Sequence, residues 1–553
     1  MAEQTEAVIA LMRKTIADKD GQTKQLQQTI EQLQATVANL TETIEESRRK
    51  FFGSSSEKTG RQETGGEKEA GKITVSSYTR ERKPKSKRED IYKNLPAVEV
   101  RCPVPEGQRL CPDCDTPMKT VTYEFAREVL KITPAKVGRV RYYQEVLACP
   151  VCREEDEGTF VKASVPTALL AHSLASPSIV AHVMYQKFMN AVPFYRQELD
   201  WLQMGAPLAR ETTSNWCIKC ALAYFQPVYD MLHAYLLKRE ILHADETVCQ
   251  VLHEKDKAAA SKSYMWIYLS GNDGLAPIIL YEYQPGRQGE YAKNFLEGFT
   301  GILECDGYTG YNSVENVILA CCLAHCRRYF FEAIPAARRK KMKLLDAHSP
   351  EDIPKDYADP EKAKEEKRIP AEIGLCYCNQ LFHTERLLKD LSEEEREAER
   401  LKLEVPIWDS FWAWLETVKP LGGSALEKAV GYAANHRELL GNYLLDGRCE
   451  ISNNRAERCA KAYGTGRKNF LFHNSVDGAK SSAIIYSLVE TAKANKLNVF
   501  QYLYILLLYM PDYKDEPAGV EAMMPWSDFI KEHCTGLTDT ETIMPENRGK
   551  LPI

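Results

Sequence analysis

Apolar residues near the amino terminus recur at alternating spacings of four and three positions. They are Leu26, Ile30, Leu33, Val37, Leu40 and Ile44. This heptad pattern, with β-branched residues at one seam position and leucine at the other, favours a parallel two-stranded coiled coil. We predict a leucine zipper over residues 1–50 that joins two or more copies of the chain. A single amphipathic helix packed on its own protein would give the same pattern.

A change of composition follows the heptads. Residues 51–95 are predicted to form a flexible basic linker, because most of this stretch is rich in Ser, Gly, Glu and Lys and poor in large apolar residues. The linker carries the basic run Arg-Glu-Arg-Lys-Pro-Lys-Ser-Lys-Arg at 80–88. Such a run is either simply solvated or holds a phosphate backbone without reading sequence.

Two Cys-x-x-Cys pairs occupy the next segment, 96–160, where apolar alternation from Val137 to Val146 indicates strands. The four thiols belong to Cys111, Cys114, Cys149 and Cys152. Two such pairs supply the four thiolates of a closed tetrahedral site, so we predict a zinc ribbon with one structural Zn²⁺. Two reduced pairs without metal are the alternative, and a redox dithiol would need only one pair.

Helical periodicity marks residues 161–236. Pro177 stands at a predicted helix start, a second helix is predicted from Phe194 to Gln203, and a third begins near Pro207. Cys217 and Cys220 are predicted to pack in a helical core. This rhythm fits a helical DNA-binding region, and it fits a helical subdomain without DNA contact equally well. The candidate DNA contacts are Arg210, Thr212, Thr213 and Asn215.

From residue 237 the pattern becomes that of strands. The predicted order is three strands at 241–248, 264–269 and 277–281, a helix near 289–297 and two further strands, which is the order of a ribonuclease-H-like core. Asp245 lies on the first strand and Asp306 ends the fourth. Two neighbouring carboxylates repel each other, and divalent cations relieve that repulsion. The pair therefore indicates two Mg²⁺ or Mn²⁺ ions that promote phosphodiester chemistry.

A third acid follows a helix-start signal at Ser452–Asn454, which places Glu457 in the first turns of a helix. Any one of the three acids alone would more often be a surface cap or a structural ion-pair partner. Their joint order makes Asp245, Asp306 and Glu457 the candidate catalytic and metal-binding acids. Glu246 is not counted as a ligand, because successive side chains of a strand point to opposite faces.

Composition narrows the class of protein. A chain of 553 residues with 44% hydrophobic and 27% charged residues indicates a soluble protein of several domains. The net charge of -6 does not itself indicate nucleic-acid binding, which depends on local basic patches. We find neither an apolar stretch long enough to span a membrane nor a signal peptide. We therefore expect a cytoplasmic protein, nucleoid-associated when bound to DNA, whose 17 cysteines are thiols or metal ligands.

The chain resembles the transposases of the bacterial insertion-sequence family sixty-six, a branch of the Asp-Asp-Glu transposases. The motifs that carry the resemblance are Leu-His-Ala-Asp-Glu-Thr at 242–247, Asp-Gly-Tyr-Thr-Gly-Tyr-Asn at 306–312, Ala-His-Cys-Arg-Arg at 324–328, Asn-Asn-Arg-Ala-Glu-Arg at 453–458 and Gly-Arg-Lys-Asn-Phe-Leu-Phe at 466–472. Ser452 and Ala462 depart from the family, which usually has Asp and Pro there. These departures affect local shape and leave the acid triad intact.

The resemblance implies that Asp245, Asp306 and Glu457 bind metal, and it implies the zipper, the zinc ribbon and a helical insertion within the catalytic core. The expected organisation is thus multidomain α/β: coiled coil 1–50, linker 51–95, zinc ribbon 96–160, helical DNA-binding region 161–236, core 237–335, helical insertion 336–446, core with Glu457 447–510, and a C-terminal tail 511–553. Small accessory proteins are also implied. Weaker candidates for DNA contact are Arg287, His325, Arg327, Arg328, Arg467 and Lys468.

The sequence thus predicts a DNA transposase that cuts the ends of a mobile element and joins them to target DNA. Two other functions stay open: a ribonuclease-H-like DNA-binding protein without catalysis, and a nuclease that cuts without transferring strands.

Overall fold

The computed structural model describes residues 117, 119, 137–148, 160–341, 357–536 and 550–551. The chain divides into two compact units, Met1–Val129 and Leu130–Ile553, and every element below belongs to the second. The predicted coiled coil, the basic linker and the four cysteines of the predicted zinc ribbon lie outside the described residues. Strands β1 (Val146–Ala148) and β2 (Phe160–Lys162) pair antiparallel. Of the predicted strand residues 137–146, only Val146 lies in a strand.

Four helices follow these strands: α1 (Pro177–Met184), α2 (Phe194–Gln203), α3 (Arg210–Cys220) and α4 (Gln226–Leu236). Helix α1 begins at Pro177 as predicted, and the side chain of Ser176 caps it. Helix α2 has the predicted bounds, whereas α3 begins three residues after Pro207. Cys217 and Cys220 are buried free thiols on α3, which confirms their packing role.

A mixed five-stranded sheet forms the centre of the second unit. Its strands are β3 (Ile241–Cys249), β5 (Ser263–Ser270), β6 (Ile279–Gln284), β7 (Ile302–Cys305) and β8 (Ile318–Cys321), in the order β6-β5-β3-β7-β8. Strands β3, β5 and β6 pair antiparallel, and β3, β7 and β8 run parallel. Helix α5 (Gly289–Phe295) connects the two halves, as the sequence predicts.

The register of the sheet aligns the two aspartates. His243 of β3 lies opposite Glu304 of the parallel strand β7. Asp245 and Asp306 each come two residues later, and residues two apart on a strand share a face. The two aspartates therefore emerge on the same face at the same end of the sheet.

Two helices that follow the sheet in the chain pack against it. Helix α14 (Asn454–Phe470) packs on β3 and carries Glu457. Helix α15 (Val476–Ala494) covers the edge strand β6, where Ser487 Oγ accepts from Tyr281 N at 2.7 Å and Thr491 Oγ1 from Ile279 N at 3.0 Å. These hydroxyls satisfy backbone groups that an open sheet edge would leave exposed.

The segment between β8 and α14 is helical in its described parts. Its helices are α6 (Leu323–Ala333), α7 (Ala336–Lys341), α8 (Pro360–Glu365), α9 (Pro370–Leu387), α10 (Glu393–Leu403), α11 (Val405–Thr417), α12 (Ala425–Asn435) and α13 (Arg437–Gly441). Helix α9 ends at Leu387, and Ser392 starts α10 with a capping box. An aromatic core of Phe330, Tyr377, Trp408 and Phe411 joins several of these helices.

Three more helices follow α15: α16 (Val499–Tyr513), α17 (Pro517–Ala522) and α18 (Asp528–Cys534). The sequence predicts a tail from 511 onward, yet Val520, Ile530 and Cys534 are buried in the main core. The apolar residues of these short helices give only a weak periodic signal, so the sequence does not predict the helices. A short parallel pair, β4 (Val251–His253) with β9 (His473–Ser475), is also absent from the prediction. No helix in the described ranges is long and apolar enough to span a membrane.

Candidate active site

Asp245 lies on β3, where its Oδ1 accepts a hydrogen bond from the backbone N–H of Glu246 at 2.8 Å. Burial is the main cause that raises the pKa of Asp245, and the carboxylates of Glu246, Asp306 and Glu457 raise it further, to about 8. The side chain is therefore protonated at neutral pH unless a cation offsets its neighbours. This perturbation indicates that three acids from distant parts of the chain converge.

Asp306 follows β7 at a tight turn. Its Oδ1 accepts from the Tyr308 N–H at 2.9 Å, and Gly307 adopts a positive φ of 85°. A Cβ on Gly307 would approach Cys321 Sγ to 2.7 Å and His436 Nε2 to 2.9 Å, so a larger residue cannot fit without movement. The turn leaves one carboxylate oxygen of Asp306 facing the Arg287 guanidinium at 3.9 Å.

Glu457 lies in the first turn of α14 and is surrounded by cations. Arg328 Nη2 is 3.4 Å from its Oε1, His325 Nε2 is 3.8 Å from the same oxygen, and Lys461 Nζ is 3.9 Å from Oε2. Burial and the Arg328 charge lower the pKa of His325. The predicted residues Arg328 and His325 thus contact a candidate acid.

The three carboxylates offer hard oxygen donors, which suit Mg²⁺ or Mn²⁺. Their repulsion, visible in the raised pKa of Asp245, is what a divalent cation relieves. Within the described part of the chain, no group of three or more His, Cys, Asp and Glu side chains is close enough together to hold a metal ion. Glu457 instead pairs with Arg328 and Lys461.

A buried polar network beneath the acids escaped the sequence analysis. His243 Nδ1 lies 3.1 Å from Asn453 Oδ1 and 3.4 Å from Glu304 Oε2, and Asn453 Nδ2 donates to the carbonyl of Ala244 at 2.7 Å. Asn453 stands at the N-cap position of α14 without a side-chain capping bond, so its bonds to His243 and Ala244 tie the helix that carries Glu457 to the strand that carries Asp245. Burial lowers the pKa of His243 to about 3 and raises that of Glu304 well above its usual range. His243 is therefore uncharged at neutral pH.

Glu246 has partners of its own. Its carboxylate accepts from Tyr311 Oη at 2.7 Å and from Arg287 Nε at 2.6 Å, while Trp266 is its cross-strand neighbour. The Arg287 guanidinium also stacks on the Tyr308 ring, 3.8 Å from its centroid. Arg287, a candidate for DNA contact, is thus held between Glu246 and Asp306 and remains 40% exposed.

The other candidates for DNA contact differ in how exposed their side chains are. Arg210, Thr212, Asn215 and Lys468 are exposed. Thr213 is 1% exposed, and its hydroxyl donates to the Arg210 carbonyl, because it packs on the inner face of α3. Arg327 is 4% exposed and donates to Asn379 Oδ1 at 2.6 Å, and Arg467 donates to the Val248 carbonyl. In this conformation Thr213 and Arg327 present almost no surface to DNA, so the structure does not support those two contacts.

The pattern of the family described as "Transposase IS66 family" matches residues 172–481, which include Asp245, Asp306 and Glu457. The chain belongs to the IS66 family of transposases. A second pattern, "zinc-finger binding domain of transposase IS66", matches residues 108–153, which contain all four cysteines of the predicted ribbon. The zinc-finger match and the family thus support a zinc ion and binding to DNA.

Relatives of similar length occur in Sinorhizobium fredii. The chain is 25% identical to "Uncharacterized protein y4hP" over 468 residues, 82% of this chain and 78% of that protein. It is 27% identical to "Uncharacterized protein y4jD" over 452 residues, 79% of this chain and 81% of that protein. The similarity therefore extends beyond the two family patterns to most of the chain.

The raised pKa of Asp245 predicts how the stability of this protein depends on pH. The carboxyl titrates near 4 in an unfolded chain but near 8 in the folded protein without Mg²⁺. Between these values the unfolded state loses a proton that the folded state keeps, so stability falls as pH rises. We expect Asp245→Asn to raise Tm at pH 8 by several degrees, with a gain that shrinks toward pH 4. Exposed Asp409→Asn is the control, and a gain independent of pH would contradict the assignment.

Proposed function

We propose that this transposase cleaves the ends of its mobile element and joins them to target DNA by phosphoryl transfer with two divalent cations. The observation that carries the proposal is the convergence of Asp245, Asp306 and Glu457, close enough that the latter two raise the pKa of the first. The strand order supports a ribonuclease-H-like core, since three antiparallel strands lead into two parallel ones beside β3.

Asp245, Asp306 and Glu457 would hold the two cations, which supply activation of the attacking oxygen and stabilisation of the leaving oxygen. In the first step a water oxygen attacks phosphorus, the bond to the 3′ oxygen breaks, and a free 3′-hydroxyl and a 5′-phosphate result. In the second step this hydroxyl attacks a target phosphorus, and a target 3′ oxygen leaves. No bond forms between protein and DNA in either step.

The side chains around the acids have separate roles in this proposal. Arg328 and Lys461, which pair with Glu457 in the structure, would contact the phosphate once Glu457 held metal. Arg287 holds Asp306 and Glu246 in place at the other end of the site. The network of His243, Glu304 and Asn453 positions α14 and does not transfer protons, because all three side chains are buried beneath the acids.

The remaining partners follow from the same proposal. The leucine zipper over residues 1–50 pairs two chains, which suits an enzyme that holds two element ends. The zinc ribbon and the helical region with Arg210 and Asn215 bind those ends. Small accessory proteins complete the active complex.

Metal dependence tests this proposal. The full-length chain, with duplexes that carry the element's ends, should cut DNA in Mg²⁺ or Mn²⁺ but not in Ca²⁺ or EDTA. Ca²⁺ is larger and tolerates irregular coordination, so it binds without the required geometry. Equal cutting in EDTA would contradict the roles of the three acids.

The zinc ribbon provides a separate prediction. A Cys111→Ser, Cys149→Ser double variant loses two of the four predicted thiolates, so zinc content should fall from about one ion per chain to nearly none. Duplex affinity should fall with it, since the ribbon no longer folds. Elemental analysis of the purified protein measures this, with Cys217→Ala, a change to a buried core thiol, as control. Unchanged zinc content in the double variant would refute the ligand assignment.

A further inference from the structure

A cleft of about 470 Å³ lies between α14, α15 and the adjoining ends of β5 and β6. Its apolar lining includes Leu269, Pro277, Ile279 and Cys459. Its charged lining consists of Arg455, Arg458, Lys461, Lys493 and Glu490. None of the four cations is among the site residues predicted from the sequence, although Arg455, Arg458 and Lys461 lie on helix α14 with Glu457.

The charges of this cleft are unbalanced. Four cations and one carboxylate, that of Glu490, line the cleft, and Lys493 pairs with Glu490 at 2.8 Å. Outside the lining, Arg455 pairs with Glu450 at 3.5 Å and Lys461 with Glu457 at 3.9 Å. No carboxylate of the described ranges lies within 4.0 Å of the exposed Arg458 guanidinium. Like charges held together repel each other, so an anion bound at Arg458 would stabilise the arrangement. The imbalance is local, because the whole chain has a net charge of -6.

The cleft is connected to the acid site through one side chain. Lys461 lines the cleft, and its Nζ lies 3.9 Å from Glu457 Oε2. An anion in the cleft therefore lies beside the acid that would hold metal. The rim residues Arg458, Lys461 and Lys493 are exposed, so a polymer can pass along them.

We infer that this cleft binds the phosphodiester backbone of DNA next to the phosphate that is cut, an inference that rests on the proposed function. The cationic rim matches phosphate oxygens. The lining contains no aromatic ring on which an unpaired base could stack, which favours the backbone over a base. Contacts to the backbone alone carry no sequence information, so the cleft should hold element ends and unrelated duplexes alike.

Salt-dependent binding tests this inference. Full-length chains that also carry Asp306→Asn, which prevents cutting, are titrated with an element-end duplex and an unrelated duplex at several salt concentrations. Arg458→Gln should weaken both complexes on the order of fivefold to tenfold at 0.1 M salt and reduce the salt slope by about one. Ala462→Glu, which adds a carboxylate to the cleft without removing a contact, should also weaken both complexes.

The matched control is Lys428→Gln, an exposed change on α12 away from the cleft, which should leave affinity and slope unchanged. Binding by Arg458→Gln equal to the control, or no binding of either duplex by the parent chain, would overturn the inference. Failure of the proposed function gives a different result. In that case the chain without Asp306→Asn does not cut or join, while Arg458→Gln still loses affinity.

Discussion

Asp306→Asn should lower the rate of DNA cleavage by at least about 10³-fold, since removal of one member of a catalytic unit typically costs that much or more. Asparagine keeps the size of the side chain and one oxygen, so the bond from the Tyr308 N–H to Oδ1 can persist. What is lost is the negative charge that would hold a divalent cation beside Asp245. The rate is measured with end-labelled duplex under single-turnover conditions.

Binding and folding separate this loss from a structural defect. DNA affinity should stay the same or rise slightly, because one negative charge near the phosphate is removed. Glu315→Gln is a suitable control, since Glu315 is an exposed acid that pairs only with Lys293 at 2.6 Å among the described residues. Cleavage by Asp306→Asn at a rate within tenfold of the parent would remove Asp306 from the catalytic set.

Arg400→Met should destabilise the protein by about 3–5 kcal/mol, the usual cost of breaking a buried ion pair from one side. Arg400 is fully buried, and its guanidinium holds Glu385 at 2.5 and 2.9 Å. It also donates to the carbonyls of Tyr443, Asp446 and Cys449. The variant leaves the Glu385 charge and these carbonyls short of partners in the interior, a loss that urea unfolding measures.

Arg437→Met is the matched control for that experiment. Arg437 pairs with Glu416 at 3.5 Å on the surface, so its loss should cost no more than about 1 kcal/mol. Because Cys449 lies just before α14, Arg400→Met should also slow cleavage at temperatures where the variant is still folded. Equal stability of the two variants would show that the Arg400 network contributes little.

The local pattern of apolar residues was sufficient to predict most strands of the sheet. The runs at 241–248 and 264–269 agree with β3 and β5 within one residue, because each is an apolar stretch bounded by turn residues. Strand β6 begins at Ile279, two residues after the predicted start, since Pro277 has no N–H to donate to a ladder. Period-two alternation did not predict that Arg287 bridges Glu246 and Asp306.

Long-range contacts were beyond the reach of such patterns. The bond between His243 and Asn453 joins residues 210 positions apart, and β4 pairs with β9 across a similar separation. Hydrophobic periodicity reports which face of an element is buried but not what covers it. For the same reason the sequence offered Thr213 and Arg327 as DNA contacts, although the fold turns both inward. A polar residue within a helix gives no sign of its partner until the packing is known.

Strand transfer is the most direct test of the central claim. The full-length chain is incubated in Mg²⁺ with labelled duplex that carries the element's ends, unlabelled target DNA and any accessory proteins. We expect the parent chain to make labelled products that are covalently joined to target DNA, and we expect none with Asp306→Asn. Cutting without joining would indicate a nuclease, and binding without cutting would indicate a DNA-binding protein that lacks catalysis. Either result would contradict the proposed transposition chemistry.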